Sequence, residues 1–170
     1  GNRVGDENAG WTYAKYLLGH ERTNIAGIGA SQRELRRLKQ MARTLERNER
    51  PLIEDAVFAT RIAQVELELK ALEITTLRVI FAEAQNHAPG PEASILKIRG
   101  TEIMQRITEL QVEALGARGL IAESPGHDPG EEIPRATETY LNQRKLTIFG
   151  GSNEIQRNII AERMLGMPRA

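Results

Sequence analysis

The sequence predicts an all-α protein built as an antiparallel four-helix bundle, on three observations. Aromatic residues make up only 4% of the 170 residues, while Ala, Leu, Ile, Glu and Arg dominate, a mixture that favours helix over strand. Long stretches repeat their apolar residues at alternating steps of three and four, which places them on one helical face. Clusters of Pro, Gly and polar residues separate those stretches and end helices. A chain of this length suffices for one well-buried domain and not for two large ones.

The first helix opens at Asn8-Ala-Gly-Trp11. Its inward positions run Trp11, Ala14, Leu18, Glu21, Ile25, Ile28, Gln32 and Leu35, so one helix is expected through the whole stretch. Glu46 to Pro51 is polar and ends in a proline suited to a helix start. A second long helix is expected from Leu52 to about Asn86, with a seam of Phe58, Ile62, Val65, Leu69, Leu72, Thr76 and Val79. Leu67, Ile74, Leu77 and Phe81 form a second apolar face, which implies packing on two sides, in the bundle and against another subunit.

His87-Ala-Pro-Gly-Pro91 breaks the chain before a third helix from Pro91 to about Leu115, with Ile95, Ile98, Ile103, Ile107, Leu110 and Ala114 inward. Gly100 interrupts that helix at modest cost. Gly116 to Pro134 holds most of the remaining Gly and Pro, so a long surface loop is expected there, either functional or simply mobile. Tyr140 to Phe149 leads, through an apolar strand-like stub from Leu146, into a Gly150-Gly151 turn and a last helix from about Ser152 to Leu165.

The 23 basic and 23 acidic residues balance, so no net field favours nucleic acid or an anionic membrane surface. The absence of cysteine excludes disulfides and thiolate chemistry, and three scattered histidines suggest no metal site. No apolar run approaches the roughly 20 residues that span a bilayer. Residues 1–8 have neither a signal-peptide core nor a transit-peptide pattern.

Two places can carry chemistry. Glu21 falls on the apolar stripe, where lost hydration raises a carboxyl pKa and makes a better proton acceptor near neutral pH. It could equally reach water at the bundle rim or pair with Arg22. The Gly150-Gly151 turn can present backbone N–H groups to an anion or a carbonyl oxygen, or can be a plain strand-to-helix turn. Ser152 suits a helix N-cap, and Gln156 and Arg157 suit helix packing and surface pairing.

The run Leu146-Thr-Ile-Phe-Gly-Gly-Ser-Asn-Glu-Ile-Gln-Arg-Asn-Ile-Ile-Ala-Glu-Arg-Met-Leu-Gly-Met-Pro-Arg169 closely resembles the C-terminal signature of the flavin-dependent acyl-CoA dehydrogenases. Trp11-Thr-Tyr-Ala-Lys-Tyr-Leu-Leu-Gly-His-Glu-Arg-Thr23 resembles the first helix of their C-terminal domain. The resemblance implies FAD as cofactor, an acyl-CoA substrate desaturated between Cα and Cβ, and electron-transferring flavoprotein as electron acceptor. It also implies assembly into homo- or hetero-oligomers, in a bacterial cytoplasm or a mitochondrial matrix.

Straight-chain members carry the catalytic glutamate on the turn, at the position filled here by Gly150. Isovaleryl- and long-chain-type members take the base from the first helix, at the position of Glu21, and this chain is similar to them. By the same resemblance the backbone N–H of Gly150 meets the thioester carbonyl, with Phe149 and Gly151 beside the substrate and Arg22 supporting it. Ser152 and Glu154 match positions near the flavin.

Three departures stand out. The family's Arg-x-x-Phe-Gly run is replaced by Arg33-Glu-Leu-Arg-Arg-Leu-Lys-Gln-Met-Ala-Arg43, without Phe-Gly. The flavin-side glycine-rich segment survives only as Leu115-Gly-Ala-Arg-Gly-Leu120. Residues 1–170 correspond to the C-terminal helical domain alone, so the N-terminal helical and middle β-domains of a parent enzyme are expected outside this chain. The alternative is a non-catalytic helical subunit, or an oligomerisation domain, that keeps the family fold.

Overall fold

The computed structural model describes residues 2–85, 90–120 and 132–168, with backbone alone for 18–25, 83, 120 and 132–135. Six helices follow one another among the described residues: α1 (Gly10–Ile25), α2 (Ile28–Thr44), α3 (Ala56–Ala84), α4 (Glu92–Leu115), α5 (Glu132–Gln143) and α6 (Asn153–Arg163). A short hairpin, β1 (Glu46–Arg47) and β2 (Arg50–Pro51), links α2 to α3.

Cross-helix bonds give the directions. Gln32 meets Glu73 and Lys39 meets Glu66, so α2 and α3 are antiparallel. Glu68 pairs with Arg99 and Arg106, and Arg61 with Glu113, so α3 and α4 are antiparallel as well. Gln105 donates to the carbonyls of Gln143 and Arg144, and Thr137 donates to that of Gly119, which sets α5 against α4. The antiparallel four-helix bundle is therefore α2 to α5, with α1 and α6 packed on α4.

The α3 seam is buried as the spacing predicts. Phe58, Ile62, Val65, Leu69 and Leu72 pack with Leu35, Leu38 and Ala42 of α2 and with Leu96, Ile103, Ile107 and Leu110 of α4. Thr76 is buried and Val79 partly so. The second α3 face is apolar and open: Leu67 is 71% and Phe81 67% exposed, with Ile74 and Leu77 beside them.

The expected single first helix is two. Gly27 adopts φ 59, a left-handed conformation that ends one helix and begins the next. The apolar stripe cannot be followed across that break in one phase, and Trp11, expected inward, is 70% exposed. Gly100 explains where the break sits. A Cβ on Gly100 would lie 2.7 Å from Cα of Ala26 and closer still to its carbonyl oxygen. The bare glycine of α4 thus receives the backbone of the α1–α2 junction.

Three further expectations need correction. The second helix starts at Ala56 rather than Leu52, because Asp55 caps it, its Oδ1 accepting from the N–H groups of Val57 (2.9 Å) and Phe58 (3.1 Å). The expected loop from Gly116 to Pro134 is shorter, since a 3₁₀ turn covers Gly116–Leu120 and α5 already begins at Glu132; the rest lies outside the described residues. Pro134 stands in the first turn of α5, where its missing N–H is harmless. The strand-like stub is a 3₁₀ turn, Arg144–Thr147, followed by bonds from Ile148 and Phe149 back to the carbonyl of Lys145.

The hairpin turn yields a stability test. Asn48 (φ 54) and Glu49 (φ 62) both lie in left-handed space, as a type I′ turn requires. A glutamate there costs about 1–2 kcal/mol that glycine avoids. Glu49→Gly is expected to raise the unfolding free energy by about 1 kcal/mol, after the greater flexibility of unfolded glycine is subtracted. Urea unfolding of the two proteins checks this.

Candidate functional site

Both glycines of the turn carry positive φ, 67 at Gly150 and 79 at Gly151. Gln156, only 1% exposed, turns back from α6 and donates through Nε2 to the carbonyls of Gly150 (3.0 Å) and Gly151 (3.5 Å). A Cβ on Gly151 would stand 2.7 Å from that nitrogen. With the carbonyls tied to Gln156, the exposed N–H groups of Gly150 and Gly151 make no close hydrogen bond among the described residues. They are donors available to an incoming oxygen.

Ser152 caps α6, its Oγ accepting from the N–H of Ile155 at 3.4 Å. Glu154 is exposed in the first turn. Its carboxyl is held below the usual range first by its own backbone N–H, then by the Ser152 hydroxyl, with the Arg157 guanidinium at 3.7 Å and Lys97 adding to the effect. Phe149 is exposed under the ammonium of Lys145, 5.5 Å from the ring centre. Arg157 pairs with Glu102 of α4 and with Glu154, the surface role its position suggests.

Beneath the turn lies a buried lysine that apolar periodicity does not single out. Lys97 of α4 is 0% exposed, and its Nζ donates to Oδ1 of buried Asn153, the first residue of α6, at 2.7 Å. The Thr101 hydroxyl approaches the same oxygen at 3.4 Å. Burial pulls the Lys97 pKa down, and the charge of Glu154 opposes that pull. A signal was present: Ser94, Lys97, Thr101, Thr108 and Gln111 recur in steps compatible with one helical face, and all are buried. Within that stripe Lys97 and Thr101 meet Asn153 of α6, and Gln111 meets Glu34 of α2.

Glu21 and Arg22 lie on α1, and their side chains fall outside the described residues. Their backbone can still be located. Glu21 precedes Ala26 by five residues, about 7.5 Å along the helix axis. Ala26 abuts Gly100, and Lys97 and Thr101 hold Asn153, so the end of α1 and the start of α6 converge on one stretch of α4. Phe149, Gly150, Gly151, Ser152 and Glu154 come together by chain continuity around the turn.

The sequence profile of the family described as acyl-CoA dehydrogenase, C-terminal domain, matches residues 8–165. The chain belongs to this family. It is 31% identical over 174 residues to acyl-CoA dehydrogenase FadE26 of Mycobacterium tuberculosis, covering 99% of this chain and 43% of that one. It is 32% identical to acyl-CoA dehydrogenase IpdE1 of the same organism, covering 98% of this chain and 40% of the relative.

Among solved structures, the ChsE4-ChsE5 complex from Mycobacterium tuberculosis superposes with a TM-score of 0.79 at 29% identity, covering 99% of this chain and 44% of that chain. The Tcur3481-Tcur3483 steroid ACAD gives 0.80 at 27% identity, covering 98% and 42%. This acyl-CoA dehydrogenase domain thus spans about two fifths of the length of these relatives. No described helix is long and apolar enough to cross a membrane.

Proposed function

We propose that residues 1–170 form the C-terminal helical domain of a flavin-dependent acyl-CoA dehydrogenase that desaturates an acyl-CoA thioester between Cα and Cβ. The N-terminal helical and middle β-domains belong to the same full-length protein, outside this chain. The observation that carries this reading is the Gly150-Gly151 turn, whose carbonyls are tied to Gln156 while its exposed N–H groups make no close hydrogen bond among the described residues. Exposed donors of this kind bond water when the site is empty and can exchange it for a substrate oxygen.

The chemistry follows from the groups present. Removing the α-proton of a thioester pushes negative charge onto its carbonyl oxygen, and a backbone N–H fixed at that oxygen stabilises the charge without reorganising. Gly150 supplies that donor, with Gly151 and Phe149 walling the acyl side. Glu21 takes the α-proton, and Arg22 orients the carboxylate and supports the substrate. FAD held beside Ser152 and Glu154 would supply the hydride acceptor for Cβ, with electron-transferring flavoprotein as the acceptor of its electrons.

The residues facing FAD suit it: Ser152 is partly exposed and Glu154 fully so, at the positive end of a helix where polar cofactor groups are readily bound. The open apolar face of α3 suits a neighbouring subunit in a homo- or hetero-oligomer. The non-catalytic alternative explains that face equally well and gives the N–H groups of the turn no role beyond bonding water.

The full-length protein is expected to purify with FAD. Mixed anaerobically with a saturated acyl-CoA of suitable length, it should lose its flavin absorbance as an enoyl-CoA forms. A colourless protein, or a flavin that stays oxidised with straight, branched and ring-bearing acyl-CoAs alike, would favour the assembly role instead.

A further inference from the structure

We propose that Lys97 is a positioning residue for the Gly150-Gly151 turn: its buried ammonium, bonded to Asn153 at the head of α6, holds the turn in place and keeps a positive charge behind the N–H groups that receive the thioester oxygen. The identity of that oxygen rests on the function proposed above. The link between Lys97 and the turn does not.

Burying an ammonium is costly, and the usual remedy is a carboxylate in direct contact. Among the described residues Lys97 instead bonds a neutral amide oxygen at 2.7 Å, with Glu154 acting on it only as a more distant charge. Much of the charge is left uncompensated. A cation at the start of a helix also opposes the helix's own positive end. Both fields favour negative charge arriving at the head of α6, so an arrangement unfavourable to the empty fold becomes favourable when an oxygen gains charge there.

The mechanical link is equally direct. Asn153 is buried and held by Lys97 and Thr101 of α4. One helical turn later Gln156 holds the carbonyls of Gly150 and Gly151. Freeing Asn153 therefore loosens the base on which the turn is tied.

Lys97→Met in the full-length protein removes the charge and keeps the length. Binding of acetoacetyl-CoA, which can bind as its enolate, is compared with that of butyryl-CoA, which stays neutral. The variant is expected to lose at least about 10-fold more affinity for the first than for the second. Amide hydrogen exchange of residues 149–156 should quicken at least about 10-fold while α3 is unchanged. If Lys97→Met does not fold, Asn153→Ala, which keeps the lysine and cuts its link, should show the same faster exchange.

Equal losses for the two ligands would overturn the electrostatic role, and unchanged exchange would overturn the positioning role. A wild-type protein that binds neither thioester and whose flavin stays oxidised with straight, branched and ring-bearing acyl-CoAs alike would contradict the dehydrogenase reading instead, and exchange would still decide whether Lys97 holds the turn.

Discussion

Gly100→Ala is expected to destabilise the protein by about 1–3 kcal/mol, the usual penalty for forcing a methyl group into filled space. In an exposed helix the same change would stabilise by up to about 1 kcal/mol. The difference lies in what the missing side chain admits. A Cβ at Gly100 would lie under 3 Å from Cα and the carbonyl carbon of Ala26, backbone atoms that cannot rotate aside. Relief requires α1 and α2 to move off α4 together.

Gly29, near the start of α2, supplies the control, since a Cβ there meets only the Arg33 guanidinium at 3.9 Å. Gly29→Ala should be neutral or mildly stabilising. Urea unfolding of both variants beside the parent tests the pair. Matching small gains at the two sites would show that the junction is not seated on Gly100.

The parts of the fold legible in the sequence are those where one period runs unbroken. Phe58 through Val79 keep steps of three and four over one long helix, and every member of that seam is buried or partly buried. The α1–α2 break was hidden because apolar residues resume after Gly27 at a helix-compatible spacing. The local cue was the glycine itself, which ends helices by adopting positive φ. Helix α5 was masked by Pro134, read as a loop residue although a proline fits the first turn of a helix.

At the candidate site, the expected Gly150-Gly151 turn and the Ser152 cap are both observed, because glycine pairs and N-cap residues act locally. The role of Gln156 in packing also follows its position. Lys97 is not legible from the apolar spacing of α4, because its buried polar stripe has a period of its own. The place of Glu21 was inferred from a stripe that the break at Gly27 divides, so its assignment as the base depends on family resemblance and on the convergence of α1 and α6 upon α4.

Glu21→Gln in the full-length flavoprotein tests that assignment most directly. The amide preserves size and hydrogen bonding but cannot take the α-proton. A general base contributes about 10² to 10⁴ in rate, so turnover with a good acyl-CoA substrate should fall by that factor while FAD content and thermal stability stay near those of the parent. Steady-state turnover and flavin content, measured on the same preparations, give the answer. A loss of this size with flavin retained is the result the account requires. Near-normal turnover would make Glu21 a structural carboxylate and would contradict the proposed mechanism.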